Sequence, residues 1–382
     1  MKKILVIHNK YRIFGGEDSN ISDEIRLLEK LYKVDYIEFD NSLRFSILDL
    51  FYLLIGKNIT SNNLLKQKIK NFQPDFAYIH NIWFRGNVGL FKVLEKNNIK
   101  TFLKIHNFRY ECTRYFLSKN HLKGLVECPM CGYSNKTIFN KYFDQSFSKS
   151  FLAIIFGKRY FKILKKNEIE IIVLNNFHID KIINNSGIPL EKVKIAKNPL
   201  AIFHNQSDYN PESNYIFYAG TLSKAKGLKE LIDTWSKLNN TKLKLKIAGD
   251  GELKDFIISK QNTNLDYVGV VNNKESQNLI KNSRAVVTFT KMYEGQPRLL
   301  GEASSFGVPS IFPDFGGISE YFPIDYKLSF KQFDYIDALS RLDLLKNPKF
   351  LYETSKKILS FVVDEFGENN ILKIYKEIFI EY

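Results

Sequence analysis

Short apolar runs alternate with longer, periodically apolar stretches along almost the whole chain, and this alternation more than any other feature limits the folds open to it. KKILVIHN, VDYIEFD, FAYIHN, TFLKIHN and IEIIVLN recur through the first half, and YIFYAG, KLKIAG, LDYVG, AVVTFT and VPSIFPD through the second. Between them lie helical stretches such as EDSNISDEIRLLEKLY and LKELIDTWSKL. Short runs rich in β-branched and aromatic residues read as buried strands, and strands separated by helices pair in parallel. The expected fold is therefore α/β, with two parallel sheets, each covered by helices on both faces.

Two sheets need two cores, and 382 residues fit two domains of ordinary size better than one. Periodicity lapses and Asn, Pro and Ser cluster in AKNPLAIFHNQSDYNPESN, residues 196–214. The expected division is 1–198, 199–365 and a last helix over 366–382. A hydrophobic content of 44% with 25% charged residues belongs to a soluble globular protein and excludes a disordered one. No run is long enough to span a bilayer, and MKKILVIHN reads as a first buried strand instead of a signal peptide. Three cysteines do not make a disulfide framework, which favours a reducing cytoplasm.

The formal net charge of +15 is unevenly placed. Residues 1–200 hold 33 Lys+Arg against 18 Asp+Glu, while residues 201–382 hold 23 of each. A one-sided field of that size points to an anionic partner for the first half. No nucleic-acid recognition module is present, so nucleic acid is not expected. An anionic membrane face fits better, because KYFDQSFSKSFLAIIFGKRYFKILKK (residues 141–166) interleaves basic and aromatic residues. The same segment also reads as an ordinary amphipathic helix covering the sheet.

Chemistry concentrates near the C-terminus. Glu294 and Glu302 stand eight residues apart in YEGQPRLLGEASSFGVPSI, directly after the strand-like run RAVVTFT, with Gly316-Gly317 following. That spacing puts Glu294 at a helix's mouth and Glu302 in its first turns. A strand, loop and helix in this order present ligand groups at the carboxyl end of the strand. Carboxylates there accept hydrogen bonds from vicinal hydroxyls, such as those of a sugar or a ribose. Upstream, Lys226 in GTLSKAKGL precedes a helix, where its charge and free backbone N–H groups together suit a diphosphate. The E-x7-E pair, its small-residue tail and the Gly-Gly loop resemble the donor site of the family 4 retaining glycosyltransferases. The family pattern G-R-L-x-x-x-K-G reads here as Gly220-Thr221-Leu222…Lys226-Gly227, with Thr221 in place of the arginine and Lys224 nearby.

Other candidates follow strands as well. Gly249-Asp250-Gly251 in IAGDGELKD is a turn opening a helix, beside the nucleotide base in chains similar to this family. Gly15-Gly16 after the first strand lets a backbone approach phosphate closely, without the G-x-G-x-x-G spacing of a dinucleotide fingerprint. Glu17 beside them is a candidate acceptor contact or a first-turn acid of the next helix. His80 and His106 end neighbouring strands, so both point to one place. His106 matches the family position near the donor's anomeric carbon, and His80 is either an acceptor contact or a strand cap. Cys112, Cys128 and Cys131 form C-x15-C-x2-C, which reads either as buried thiols or, with His121 as a fourth ligand, as a structural zinc site.

The resemblance covers nearly the whole chain and implies a GT-B architecture, two Rossmann-like domains facing each other over a cleft, with the last helix crossing back to the first. It implies a hexosyltransferase that moves sugar from a nucleotide-sugar donor, UDP-linked, to a hydroxyl of a glycan or polyprenyl-linked acceptor. The implied setting is surface-polysaccharide synthesis at the cytoplasmic face of the plasma membrane. His106, Glu294 and Lys226 are the implied catalytic residues. Gly15, Gly16, Thr221, Lys226, Gly249, Gly251, Glu294, Gly295, Gln296, Leu299 and Glu302 are the implied donor contacts. No cofactor is expected to be required. A nucleotide-sugar epimerase of the same fold and a non-catalytic membrane-associated binding module are the alternatives.

Overall fold

The structure, a computed structural model, describes residues 1–10, 16–41, 46–107, 146–166, 168–180, 187–201, 209–238 and 242–380. They form two compact units, one built from residues before 200 together with the last helix, the other from residues 200–367.

The first unit is a parallel sheet of β1 (Lys3–Lys10), β2 (Lys33–Asp40), β3 (Phe76–Ile79), β4 (Lys100–Lys104), β5 (Ile169–Val173) and β6 (Val193–Ile195). Its strand order is β2-β1-β3-β4-β5-β6, with β1 paired to β2 on one side and β3 on the other. Helices α1 (Gly16–Leu28), α2 (Ile47–Ile55), α3 (Ile59–Phe72), α4 (Gly89–Lys96) and α5 (Phe147–Lys166) accompany it. Because side chains alternate along a strand, the sheet feeds two cores. Leu5, Ile7, Ala77, Ile79 and Leu103 pack with α4 and α5 through Phe91, Leu94, Phe156 and Leu164. Ile4, Val6, Phe76, Tyr78 and Phe102 pack on the other face with Leu27 and Leu28 of α1. Within α5, Phe156, Tyr160, Phe161 and Leu164 are buried while Lys158 and Lys162 are exposed, so the apolar stripe of this stretch belongs to the core, whereas Phe147 and Phe151 at the helix start are exposed.

The second unit repeats the plan with β7 (Tyr215–Ala219), β8 (Lys244–Ala248), β9 (Leu265–Gly269), β10 (Ala285–Val287), β11 (Ser310–Asp314) and β12 (Ser329–Lys331). The order is β12-β11-β10-β7-β8-β9, again parallel. Its helices are α6 (Leu228–Trp235), α7 (Lys254–Ser259), α8 (Asn273–Lys281), α9 (Arg298–Ser305), α10 (Tyr335–Asp343) and α11 (Pro348–Phe366). The chain then ends in α12 (Glu368–Ile380), whose Ile371, Tyr375, Ile378 and Phe379 complete the second core of the first unit.

Every apolar run named above forms a strand. The structure adds β6 and β12, edge strands of three residues each, too short to stand out by periodicity. In each sheet the order reverses beside the first strand, between β1 and β3 and between β7 and β10. At such a switch point the loops leave in opposite directions and open a crevice at the carboxyl ends of the strands.

Candidate functional site

Lys226 and Glu294, both expected to hold the donor, meet at the switch point of the second sheet. Lys226 follows β7 and Glu294 follows β10, and these strands are neighbours. The Lys226 ammonium lies 2.5 Å from Glu294 Oε1, which also accepts the Thr290 hydroxyl at 2.9 Å. Beside them Lys291 pairs with Glu230 of α6. The Tyr218 hydroxyl, buried under the pair, has its pKa pushed far up, first by burial and then by the charge of Glu294. It donates to the carbonyl of Thr221 at 3.0 Å, fixing the loop that carries the substituted position.

Helix ends separate this edge of the sheet from its flanks. Side chains cap α8 through Asn272, α10 through Asp334 and α11 through Asn347. The N-termini of α6, α7 and α9, which follow β7, β8 and β10, have no side-chain cap. The first amides of a helix need partners and favour negative charge. The helices at the centre of the sheet thus begin without side-chain caps where Lys226 adds a cation. An anion with several oxygens answers both.

Two glycines hold the loops together. At Gly249 φ is +135°, and a Cβ would lie 1.9 Å from the Gly220 carbonyl, so only glycine lets the loops after β7 and β8 meet. Its amide goes to the carbonyl of Gly269 at 2.9 Å. Gly251 sits in the same turn, where the Asp250 carbonyl accepts the Leu222 amide at 2.8 Å. Gly316, at φ +70°, places the Gly-Gly loop against the backbone of Tyr293 and Glu294. Gly295 is buried in the loop before α9, and Gln296 and Leu299 are half-buried beside it. Glu302 stands on the second turn of α9 and accepts Arg298 Nε at 2.7 Å. Thr221 and Lys224 are exposed.

In the first unit His80 and His106 meet at the carboxyl ends of β3 and β4, His80 Nδ1 lying 2.8 Å from His106 Nε2. Beneath them is a charge cluster that sequence reasoning did not single out. Glu24 of α1 is fully buried, and its Oε1 accepts from Lys104, Tyr78 and Tyr375. Its Oε2 lies 3.6 Å from His80 Nδ1. His8 on β1 pairs with Asp18 at 2.9 Å. Burial, with Lys104 and the neighbouring histidines adding to it, holds both His80 and His106 well below the usual imidazole range. Both rings are therefore neutral at pH 7.

The carboxylate bears on the proton positions. One of His80 Nδ1 and His106 Nε2 carries the proton they share, the tautomer of each ring deciding which, and Glu24 Oε2 at 3.6 Å favours it on His80. Glu24, His80 and His106 also bring one ligand atom each within 4.8 Å of one another, a grouping that could hold a metal ion. The Lys104 ammonium on the same carboxylate opposes a cation there. Lys104 left one signal in the sequence, a charge inside TFLKIHN; Tyr375, 351 residues from Glu24, left none.

His80 is buried with its ring engaged, while His106 is half-buried. Gly16 is the first residue of α1 and Glu17 lies in its first turn. Gly15, Cys112, Cys128, Cys131 and His121 fall outside the described residues, and so does any zinc site they would form.

Comparison with known proteins bears on the fold and the family. Residues 201–358 match the family model for glycosyl transferases group 1. A stretch of 141 residues is 28% identical to the amylovoran biosynthesis glycosyltransferase AmsD of Erwinia amylovora, covering 35% of this chain and 40% of that protein. The chain therefore spans well under half the length of the curated relative it matches. Sucrose-phosphate synthase from Thermosynechococcus elongatus has the same fold with a TM-score of 0.72 at 11% identity, over 100% of both chains. HepE of Anabaena, in complex with UDP and glucose, gives 0.68 at 13% identity, also over 100% of both. Fold and family match converge on one statement: the chain has the GT-B fold, and residues 201–358 of its second unit match the model for glycosyl transferases group 1.

Proposed function

We propose that the chain is a family 4 retaining glycosyltransferase, moving a sugar from a UDP-linked donor to a hydroxyl of a glycan or lipid-linked acceptor in surface-polysaccharide synthesis. One observation carries the reading: Lys226 faces Glu294 at the switch point, among three helix N-termini without side-chain caps. Lys226 and the amides of α6 take the diphosphate, Glu294 the sugar hydroxyls and Glu302 the ribose. HepE's complex with UDP and glucose, and the polysaccharide for which AmsD is named, support the donor and the pathway.

In the reaction the bond from the anomeric carbon to the diphosphate oxygen breaks and a bond to the acceptor oxygen forms on the same face. The acceptor's proton passes to the departing phosphate. Negative charge grows on the leaving group, so cations and amides aimed at it stabilise the transition state more than the ground state. His106 is proposed to act on the sugar, the role that its match to the family position implies.

The deciding experiment incubates the protein with a panel of nucleotide sugars, with and without a lipid-linked glycan, and follows UDP release and product anomer. UDP release that requires the acceptor, with the donor's configuration retained, is expected. An isomerised nucleotide sugar would establish the epimerase reading instead. Nucleotide binding without turnover on any acceptor would leave a binding module.

A further inference from the structure

The helix α2 is built inside out. Its sequence ILDLFYLLI carries a single charge, Asp49, and Asp49 is buried. Ile47, Leu48, Phe51, Leu54 and Ile55 are exposed, Ile47 at 88% and Phe51 at 53%. Positions 47, 48, 51, 54 and 55 fall on one side of a helix, so the outer face is a continuous apolar stripe. A surface helix of a soluble domain has the opposite polarity.

The stripe is held rigidly from beneath. Ser46 and Asp49 form a capping box, and Arg85 Nη2 reaches the Asp49 carboxylate at 3.2 Å. The Asn87 side-chain amide donates to the Tyr52 carbonyl at 3.0 Å, and Arg159 Nη1 to the Leu53 carbonyl at 2.8 Å. Phe51 and its neighbours are therefore presented to solvent by a fixed helix.

The surroundings are basic. Neither α3 nor α5 contains an aspartate or glutamate, and α3 carries exposed Lys66 and Lys70, while its Lys68 pairs with Asp35 at 2.8 Å. The α5 residue that touches α2, Arg159, has exposed Lys158 and Lys162 on its own helix, and exposed Lys57 follows α2.

We propose that α2 inserts its outer face into the headgroup and acyl boundary of an anionic bilayer, with the lysines of α3 and α5 lying on the lipid phosphates. An apolar stripe one helix wide, rimmed by cations, matches the layered chemistry of such a surface. A second copy of this chain is the poorer occupant, because docking like on like would oppose two cationic rims. The basic helix within residues 141–166 acquires a different part from inserting itself. From Ala153 onward its apolar side is spent on the core, with Phe147 and Phe151 exposed at its start, so its lysines supply charge and α2 supplies the larger inserted face.

The test uses the full chain and vesicles of phosphatidylcholine with or without phosphatidylglycerol. The parent is expected to sediment with the anionic vesicles, and a Phe51→Trp variant to shift its emission to the blue and be quenched by lipid-embedded bromine. Ile47→Ser/Phe51→Ser/Ile55→Ser should lose at least roughly tenfold in partitioning, less than the transfer of one large side chain would allow. Lys158→Gln/Lys162→Gln should weaken binding and its dependence on salt. UDP affinity should be unchanged in both, which separates failure of this proposal from failure of the donor-site reading. No vesicle binding, or binding in which the Phe51→Trp variant shows neither a blue shift nor quenching, overturns the insertion. So does a concentration-dependent dimer that the triple-serine variant abolishes.

Discussion

The hydroxyl of Tyr375, on the last helix, donates to the buried carboxylate of Glu24, on the first. Lys104 and Tyr78 reach the same oxygen, so one carboxylate ties α12, α1 and two central strands together. Removing one partner of a buried ion pair is far more damaging than the pair's net value suggests. Glu24→Ala is expected to lower unfolding stability by about 3–5 kcal/mol by stranding Lys104. Tyr375→Phe should lose roughly 1.5–3 kcal/mol, one hydrogen bond to a charged group. Urea unfolding of the first unit's signal measures both; equal stability of the Glu24 variant and the parent would refute the pairing.

A pH dependence follows from His80 and His106. Their folded pKa values are depressed by burial, reinforced by Lys104, so the unfolded chain takes up protons before the folded one. Their contribution is fully present above the unfolded value near 6.5 and is lost as pH falls below it toward the folded values. The expected loss is about 1.4 kcal/mol per pH unit for each ring. Urea midpoints at pH 7 and pH 5 test this, and His80→Asn should flatten the slope. A midpoint that rises on acidification would contradict it.

Gly249→Ala places a methyl group 1.9 Å from the Gly220 carbonyl at a φ of +135°. The loops after β7 and β8 must part, and Lys226 follows the first of them. The variant should fold with reduced stability and weakened UDP affinity together, read by thermal unfolding and calorimetry. Unchanged values for both would mean the loops yield without consequence.

Glu302 and Glu294 are expected to separate binding from turnover. Glu302→Ala should weaken nucleotide binding by roughly 1.5–3 kcal/mol, the worth of a charged acceptor. Glu294→Ala should reduce sugar turnover and leave UDP binding nearly intact. Lys226→Ala should impair both, because the diphosphate is present in ground and transition states alike. Titration calorimetry beside a UDP-release assay reads all three, and parental behaviour in each variant would remove the donor site from this edge of the sheet.

Local pattern carried the architecture. Short continuous apolar runs with helices between them specify parallel sheets, because a strand buried on both faces has few alternatives. Glu294 and Lys226 stood out as candidates for a related reason: each lies in the loop after a strand, where the fold class places ligand groups, and Glu302 stood out by its spacing from Glu294. The tertiary structure alone decided what required distance. Strands β6 and β12 are too short to be read without their neighbours. The outward face of α2 could not be told from an inward one, since an apolar stripe looks the same whether it meets a core or solvent. The buried carboxylate of Glu24 became a site only when Lys104, Tyr78 and Tyr375 converged on it. A charge is tolerated there because its partners arrive from separate elements, and sequence records each residue but not their meeting.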